Sequence, residues 1–171
     1  MSTPALIQPT HLQKLAIVYV RRSSVTLHPG DRPESAEAKR ALAERARHWG
    51  WPDSRIEIID SDHGVPASEP GRRQGFARML DGMAAGKVAL VLTTDVSRLF
   101  RHLRDAEDFL RVARARNVLF DVDGQLFSPV DRGGSLFTLL LFLHDWSESE
   151  TRRAWEHWGI SANDDTTAPL T

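Results

Sequence analysis

The 171-residue chain contains no cysteine, which excludes disulfide bonds and metal sites built on thiolates. It also lacks a long apolar segment, since its longest run, residues 136–143, is too short to span a bilayer and is interrupted by Thr138. The first residues contain no apolar stretch of signal-peptide length. These absences predict a soluble, cytoplasmic protein without a membrane partner.

Lysine is scarce, with three residues, and arginine supplies the rest of the 22 basic side chains. The formal net charge of −1 argues against a protein that holds nucleic acid through bulk positive charge. Arginine is nevertheless the better phosphate ligand, because its planar fork bonds two oxygens at once. The positions of the arginines, rather than their number, must therefore indicate function.

Several cofactor and catalytic motifs are also missing. No glycine-rich dinucleotide fingerprint or phosphate-binding loop follows the first predicted strand. The seven histidines lack paired metal-ligand spacing, and no Gly-x-Ser-x-Gly elbow supports acyl transfer. We therefore expect neither a cofactor nor a metal ion.

Apolar runs that alternate with amphipathic segments predict an α/β fold. The predicted strands cover residues 15–20, 56–59, 88–92 and 118–122, and the first and third are apolar throughout, as in strands buried on both faces. Helical spacing of apolar residues predicts helices over residues 34–49, 73–85 and 103–116. Strands that alternate with helices imply right-handed crossovers, so we expect a mainly parallel sheet of about four strands with helices on both faces.

A single domain is expected to occupy most of the chain. We assign residues 1–14 to a flexible N-terminus, residues 15–158 to the α/β domain and residues 159–171 to a disordered acidic tail. A last, C-terminal helix is predicted over residues 135–157, apolar in its first half and charged in its second. No segment is typical of a recognition helix, so no DNA-binding domain is evident.

Polar side chains follow each predicted strand. Because ligands of an open parallel sheet bind at the carboxyl ends of its strands, these side chains should share one edge. Arg21 and Ser23 are two apart on an extended chain and project to the same side. Arg98 and Arg101 are three apart at a turn that enters a helix, and Arg73 begins another helix. A hydroxyl among guanidinium groups suits phosphoryl transfer, whose transition state concentrates negative charge.

Carboxylates at the same edge favour a different class of function. Asp60 with Asp62, and Asp121 with Asp123, could pair around Mg²⁺ in a metal-dependent phosphoryl-transfer domain. This hypothesis leaves the arginines unexplained.

Six short motifs occur in order along residues 15–155. They are Tyr19-Val-Arg21-Arg-Ser23, Asp62-x-Gly64, Arg73-Gln-Gly75-Phe76, Ser97-Arg98-Leu99-Phe-Arg101, Asp123-Gly124 and the stretch from Glu148 to Arg153. The ordered set resembles the N-terminal catalytic domain of serine recombinases of the resolvase/invertase family.

The resemblance implies a resolvase-like fold and site-specific DNA recombination. Ser23 would attack the DNA backbone and form a 5′-phosphoserine bond without metal or nucleotide. The implied ligands of the scissile phosphate are Arg21, Arg73, Arg98 and Arg101. Ser24, the next residue, is an alternative nucleophile.

The resemblance also implies supporting residues and partners. Tyr19, Asp62 and Asp95 would support the site. The expected partners are DNA and further copies of the chain, in a homodimer or tetramer formed through the C-terminal helix.

The sequence departs from the family pattern at several positions. Leu27 and Lys39 stand where the family usually has glutamine, Pro66-Ala67 replaces Ser-Gly, and Ser97 stands where aspartate is common, with Asp95 two residues earlier. Together with the absent DNA-binding domain, these departures keep an alternative open: a non-catalytic module that dimerises with or regulates a full-length recombinase. A catalytic chain would be a fragment of a longer recombinase or would take its targeting from a separate DNA-binding subunit, and a relic without full activity is the third alternative.

Overall fold

The computed structural model describes residues 3–21, 34–62, 73–100 and 103–130. Within these ranges the helices are α1 (Pro9–Leu12), α2 (Glu34–His48), α3 (Gln74–Ala84), α4 (Val96–Leu99) and α5 (Leu103–Arg116), with a 3-10 helix at Asp53–Arg55. The strands are β1 (Leu15–Tyr19), β2 (Ile56–Ile59), β3 (Val88–Thr93), β4 (Leu119–Val122) and β5 (Gln125–Phe127). None of these helices is long and apolar enough to cross a membrane.

The five strands form one sheet in the order β2-β1-β3-β4-β5. The first four pair in parallel, and β5 pairs with β4 in the antiparallel direction. Helix α2 packs on one face, and helices α3 and α5 pack on the other. The predicted α/β class, with a mainly parallel sheet and helices on both faces, is therefore confirmed.

The continuous apolar sequence of β1 is explained by burial on both faces of the sheet. Ile17 and Tyr19 belong to the core under α3 and α5, whereas Ala16, Val18 and Val20 belong to the core under α2. Successive side chains of a strand point to opposite faces, so a strand covered on both sides needs apolar residues at every position. The end of β1 is thereby held in the middle of the sheet.

The fifth strand was not predicted. Asp123 and Gly124 form the turn between β4 and β5, with φ angles of 48° and 87°. Two consecutive positive φ angles are typical of the tight turn that joins antiparallel strands, and an Asp-Gly pair favours it. Phe127 then stacks on Phe120, with ring centroids 5.3 Å apart.

The N-terminal segment was predicted to be flexible, and its described part is instead packed on the domain. Leu6, Ile7 and Leu12 contact the core under α2, and α1 lies within this segment. His11 is buried, and its Nδ1 accepts a hydrogen bond of 3.0 Å from the backbone N–H of Gln8. Packing of the three apolar side chains removes their surface from water, which favours this position of the segment.

The predicted C-terminal helix over residues 135–157 and the tail over residues 159–171 lie outside the described residues. The same holds for the motif from Glu148 to Arg153.

Candidate active site

Three side chains from separate segments meet where β1 ends. The Tyr19 hydroxyl donates a hydrogen bond of 2.7 Å to Oδ2 of Asp62 and accepts one of 2.9 Å from Nη2 of Arg73. Tyr19 and Asp62 are almost completely buried. Burial raises the pKa of Tyr19 to about 12, against the opposing effect of the Arg73 guanidinium. The phenol therefore stays protonated at neutral pH and can serve as both donor and acceptor.

Asp62 also satisfies the first turn of helix α3. Its two carboxylate oxygens accept hydrogen bonds of 2.8 Å from the backbone N–H groups of Gly75 and Phe76. These N–H groups have no partner within the helix, and the positive end of the helix dipole favours a carboxylate there. The segment after β2 is thus fixed to the start of α3.

Gly75 allows this close approach. A Cβ atom at this position would lie 2.6 Å from Cγ2 of Ile59 and 2.7 Å from Oγ of Ser61. Contacts this short essentially never occur in folded proteins, so any side chain at position 75 would require Ile59 and Ser61 or α3 itself to shift. The Gly75 of the Arg73-Gln-Gly75-Phe76 motif has a steric role here.

Arg73 lies at the start of α3 with only 12% of its side chain exposed. Besides its contact with Tyr19, Nη2 donates 2.6 Å to the carbonyl oxygen of Leu99, and Nη1 forms a 2.6 Å ion pair with Asp105. The guanidinium also lies over the ring of Phe76, 4.0 Å from its centroid. Arg73 therefore connects the ends of β1 and α4 to the first turn of α5.

A second contact joins the end of β1 to α4. Nε of Arg21 donates a hydrogen bond of 3.3 Å to the backbone carbonyl of Arg98, 77 positions away. Arg98 is half-buried, and its N–H is bound to the carbonyl of Asp95 at 3.1 Å. Asp95 itself is exposed in the turn between β3 and α4. Arg21 and Arg98 consequently occupy neighbouring positions at the carboxyl edge of the sheet.

Two of the predicted site residues, Ser23 and Arg101, lie outside the described residues, as does the alternative nucleophile Ser24. The other predicted residues are close in space. Hydrogen bonds link Tyr19 with Asp62 and Arg73, and Arg21 with the backbone of Arg98.

Three of the four carboxylates of the magnesium hypothesis are bound to other groups of the protein. Asp62 is occupied by Tyr19 and the start of α3, whereas Asp60 forms an ion pair with Lys39 of α2. Asp121 is fully buried and is bound to Nη1 of Arg45 at 2.6 Å. Within the described part of the chain, no three histidine, aspartate or glutamate side chains are placed to share a metal ion.

Sequence reasoning missed Asp105 and the carbonyl oxygen of Leu99. An aspartate in the first turn of a helix is commonly explained by the helix dipole, and nothing in its spacing from Arg73 indicates a contact. A backbone carbonyl carries no sequence signal at all. Both contacts depend on how α3, α4 and α5 pack together.

The described residues form an α/β domain. Its polar site residues lie at the edge of the sheet where the parallel strands end. A family model of the resolvase N-terminal domain matches residues 16–163. The chain belongs to this resolvase family. The resemblance to resolvase-type serine recombinases is therefore confirmed at the level of the family.

Two further likenesses accompany the family match. A Sinorhizobium fredii protein, designated uncharacterized protein y4bA/y4pH, is 36% identical over 127 residues, which are 72% of this chain and 18% of that protein. The chain thus spans about a fifth of the length of this relative. The crystal structure of a resolvase family site-specific recombinase from Streptococcus pneumoniae is similar with a TM-score of 0.46 and 18% identity, over 86% of this chain and 96% of that one.

Proposed function

We propose that the chain is the catalytic domain of a site-specific serine recombinase. In this proposal Ser23 is the nucleophile, and Arg21, Arg98 and Arg101 bind the scissile phosphate. One observation carries the proposal: Nε of Arg21 contacts the backbone of Arg98, so the segment that leads to Ser23 meets the turn that leads to Arg101. Membership of the resolvase family supports this class of reaction.

The proposed reaction exchanges one ester for another. The Ser23 oxygen forms a bond to phosphorus, the bond from phosphorus to the 3′ oxygen breaks, and the serine proton is balanced by the proton on the released 3′ hydroxyl. The 5′-phosphoserine bond conserves the phosphodiester energy, so rejoining requires no nucleotide. Guanidinium groups at the non-bridging oxygens would stabilise the negative charge of the transition state.

The arrangement of the arginines favours this chemistry over metal-dependent transfer. The contact between Arg21 and Arg98 uses a backbone carbonyl as acceptor, so it does not consume the Arg98 guanidinium. Three of the four carboxylates that a magnesium site could use, those of Asp62, Asp60 and Asp121, are held by Tyr19, Lys39 and Arg45 respectively. The guanidinium of Arg98, by contrast, is not used in its contact with Arg21.

DNA is the proposed substrate, and the proposal extends to two kinds of protein partner. Strand exchange requires several active sites, so we propose a homodimer or tetramer formed through the segment over residues 135–157. Recognition of a DNA site is assigned to a separate DNA-binding subunit or segment, because the described domain offers no recognition helix at the sheet edge.

A covalent trapping experiment tests the function. The full chain is incubated with a library of nicked duplexes of randomised sequence, in which cleavage beside the nick releases a short strand and prevents rejoining. We expect a protein–DNA adduct that resists denaturation, that is lost in Ser23→Ala and that persists in the matched variant Ser24→Ala. The DNA sequences that flank the nick in the recovered adducts also identify the preferred sequence.

Three outcomes would contradict the proposal or part of it. An adduct that survives in Ser23→Ala and disappears in Ser24→Ala would move the nucleophile by one residue. Adduct formation that requires Mg²⁺ would contradict the metal-free mechanism. Absence of any adduct from the wild-type chain, together with binding to a full-length recombinase, would favour the non-catalytic module.

A further inference from the structure

The hydrogen bonds of Arg73 limit what its guanidinium can do at the proposed site. An arginine side chain has five N–H groups, of which two are on each terminal nitrogen. Both N–H groups of Nη2 are used, by the Tyr19 hydroxyl and the Leu99 carbonyl, and Nη1 gives one to Asp105. Nε is buried and has no hydrogen-bond partner among the described residues.

The remaining donors cannot form the fork that makes arginine a strong phosphate ligand. A bidentate contact needs parallel N–H groups from two adjacent nitrogens. Each edge of this guanidinium includes a nitrogen that is already used or buried. Asp105 and the ring of Phe76 also offset the positive charge locally.

The same contacts give Arg73 a different role, which rests on the proposed function. Leu99, whose carbonyl accepts a hydrogen bond from Arg73, follows Arg98 directly in α4. Tyr19, whose hydroxyl accepts another hydrogen bond from Arg73, precedes Arg21 by two residues in the chain. We infer that Arg73 is a positioning residue that holds the elements bearing Arg21 and Arg98 together. Asp105 is a second positioning residue that fixes Arg73 from the first turn of α5.

The inference distinguishes Arg73 from the arginines proposed to contact DNA. A phosphate ligand contributes to DNA affinity and to its salt dependence, whereas a positioning residue changes the rate of the chemical step at nearly constant affinity. Asp105→Asn removes the charge that restrains Arg73 while it keeps the shape of the side chain. It should therefore separate the two roles.

The test compares Asp105→Asn and Asp105→Glu with Asp108→Asn, which removes an exposed carboxylate from the same helix. In Asp105→Asn we expect adduct formation at saturating DNA to slow by about tenfold, with the half-saturating DNA concentration and the salt slope unchanged. Asp105→Glu should recover part of the rate, and Asp108→Asn should match the wild type. If Arg73 were a restrained phosphate ligand, its release in Asp105→Asn would tighten DNA binding and steepen the salt slope, which would overturn the inference.

Hydrogen exchange gives a second readout that needs neither DNA nor activity. The N–H groups of Arg98 and Phe100 donate within the turn of α4, to Asp95 and Val96. In Asp105→Asn they should exchange about tenfold faster, because a charge-assisted contact to this turn is weakened, whereas amides of β3 should be unchanged. If the wild-type chain forms no adduct, the proposed function fails and exchange alone decides the positioning role. Unchanged exchange in α4 would then overturn it.

Discussion

The Tyr19 hydroxyl donates to the Asp62 carboxylate across a distance of 2.7 Å, although 43 positions separate the two residues. This contact fixes the end of β1 against the segment that follows β2. The same carboxylate binds the first N–H groups of α3, and the same hydroxyl accepts a hydrogen bond from Arg73. Removal of the Tyr19 hydroxyl or of the Asp62 carboxylate should therefore weaken contacts at the end of β1, in the segment after β2 and at the start of α3.

Tyr19→Phe should reduce the free energy of unfolding by about 1–3 kcal/mol, because it leaves a buried carboxylate oxygen and an arginine N–H with one partner fewer. The difference from the wild type should shrink at alkaline pH. Since the folded-state pKa of Tyr19 is raised to about 12, the folded protein retains a proton that the unfolded chain loses above its ordinary pKa of 10. The stabilisation is therefore complete below pH 10 and is lost as the pH rises towards 12.

Urea unfolding of the wild type and of Tyr19→Phe, from neutral pH to a pH of about 12, measures the difference in their free energies of unfolding. Tyr19 is the one tyrosine of the chain, so phenolate absorbance reports its ionisation directly. An ordinary pKa in the native protein, or a difference in stability that does not depend on pH, would contradict the buried hydrogen bonds.

Gly75→Ala and Gly82→Ala should change stability in opposite directions, although both glycines lie in α3. Helix propensity alone favours alanine over glycine by about 1 kcal/mol at either position. At position 75, however, the new methyl group would clash with Ile59 and Ser61, so we expect a loss of about 1–3 kcal/mol. At position 82 the nearest atom is a side-chain methyl of Val88 at 3.2 Å, and we expect this methyl to shift by a few tenths of an ångström, so that the gain in helix propensity prevails.

Thermal unfolding of the wild type, Gly75→Ala and Gly82→Ala measures these two changes in stability. Equal stabilisation by both substitutions would show that α3 does not approach β2 as closely as described. A gain at position 82 with a loss at position 75 is the expected result.

The strands were predictable because burial leaves a simple pattern in the sequence. β1 and β3 are covered on both faces, so apolar residues fill every position from Leu15 to Tyr19 and from Val88 to Leu92. β5 was missed because a strand of three residues carries no periodicity, although Asp123-Gly124 is a strong hairpin signal. The packing of Leu6 and Leu12 was also missed, because the helix in this segment, α1, has four residues and is too short to show a helical periodicity.

The site was predictable only in part. The rule that strand ends share an edge correctly brought Arg21 and Arg98 together, since it depends on topology alone. It could not show that the Arg21 side chain would bind the backbone carbonyl of Arg98. Nor could it show that Arg73 would meet Asp105, because that contact depends on the packing angle of two helices.

Loss of Arg45 should destabilise the protein by leaving a buried carboxylate unpaired. Asp121 is fully buried in β4, and Arg45 of α2 is its ion-pair partner. Arg45→Met should lower the free energy of unfolding by about 3 kcal/mol, whereas the double variant Arg45→Met with Asp121→Leu should recover most of it. Arg47→Met, which breaks an exposed ion pair with Asp53, should change it by less than about 1 kcal/mol.

The effect of Arg45→Met should also depend on pH. Burial raises the pKa of Asp121, so its protonated form is favoured in the folded state and contributes stability that is lost as the pH rises through the folded pKa. The cost of Arg45→Met should therefore diminish as the pH falls and Asp121 becomes protonated. Chemical denaturation of the four proteins at acidic and neutral pH tests this, and a cost that grows with acidity would contradict the assignment.

Arg98→Ala should abolish most of the proposed activity without loss of the fold. Its guanidinium is proposed to bind the scissile phosphate, so we expect adduct formation to slow by about 10²–10³-fold. DNA affinity should lose one phosphate contact, which lowers the slope of log affinity against log salt by about 0.9. Because Arg21 is held by the backbone carbonyl of Arg98, which alanine retains, the edge itself should stay in place.

Arg111→Ala is the matched control, since this arginine is exposed on α5 and pairs with Asp108. The free energy of unfolding of Arg111→Ala should lie within about 0.5 kcal/mol of the wild type, as is usual for surface substitutions, and that of the half-buried Arg98→Ala should lie within about 1 kcal/mol. Adduct kinetics and DNA binding over a range of salt concentrations measure the two effects separately. Wild-type kinetics in Arg98→Ala would remove this guanidinium from the site, whereas a large loss of stability would mean that its side chain supports the fold instead.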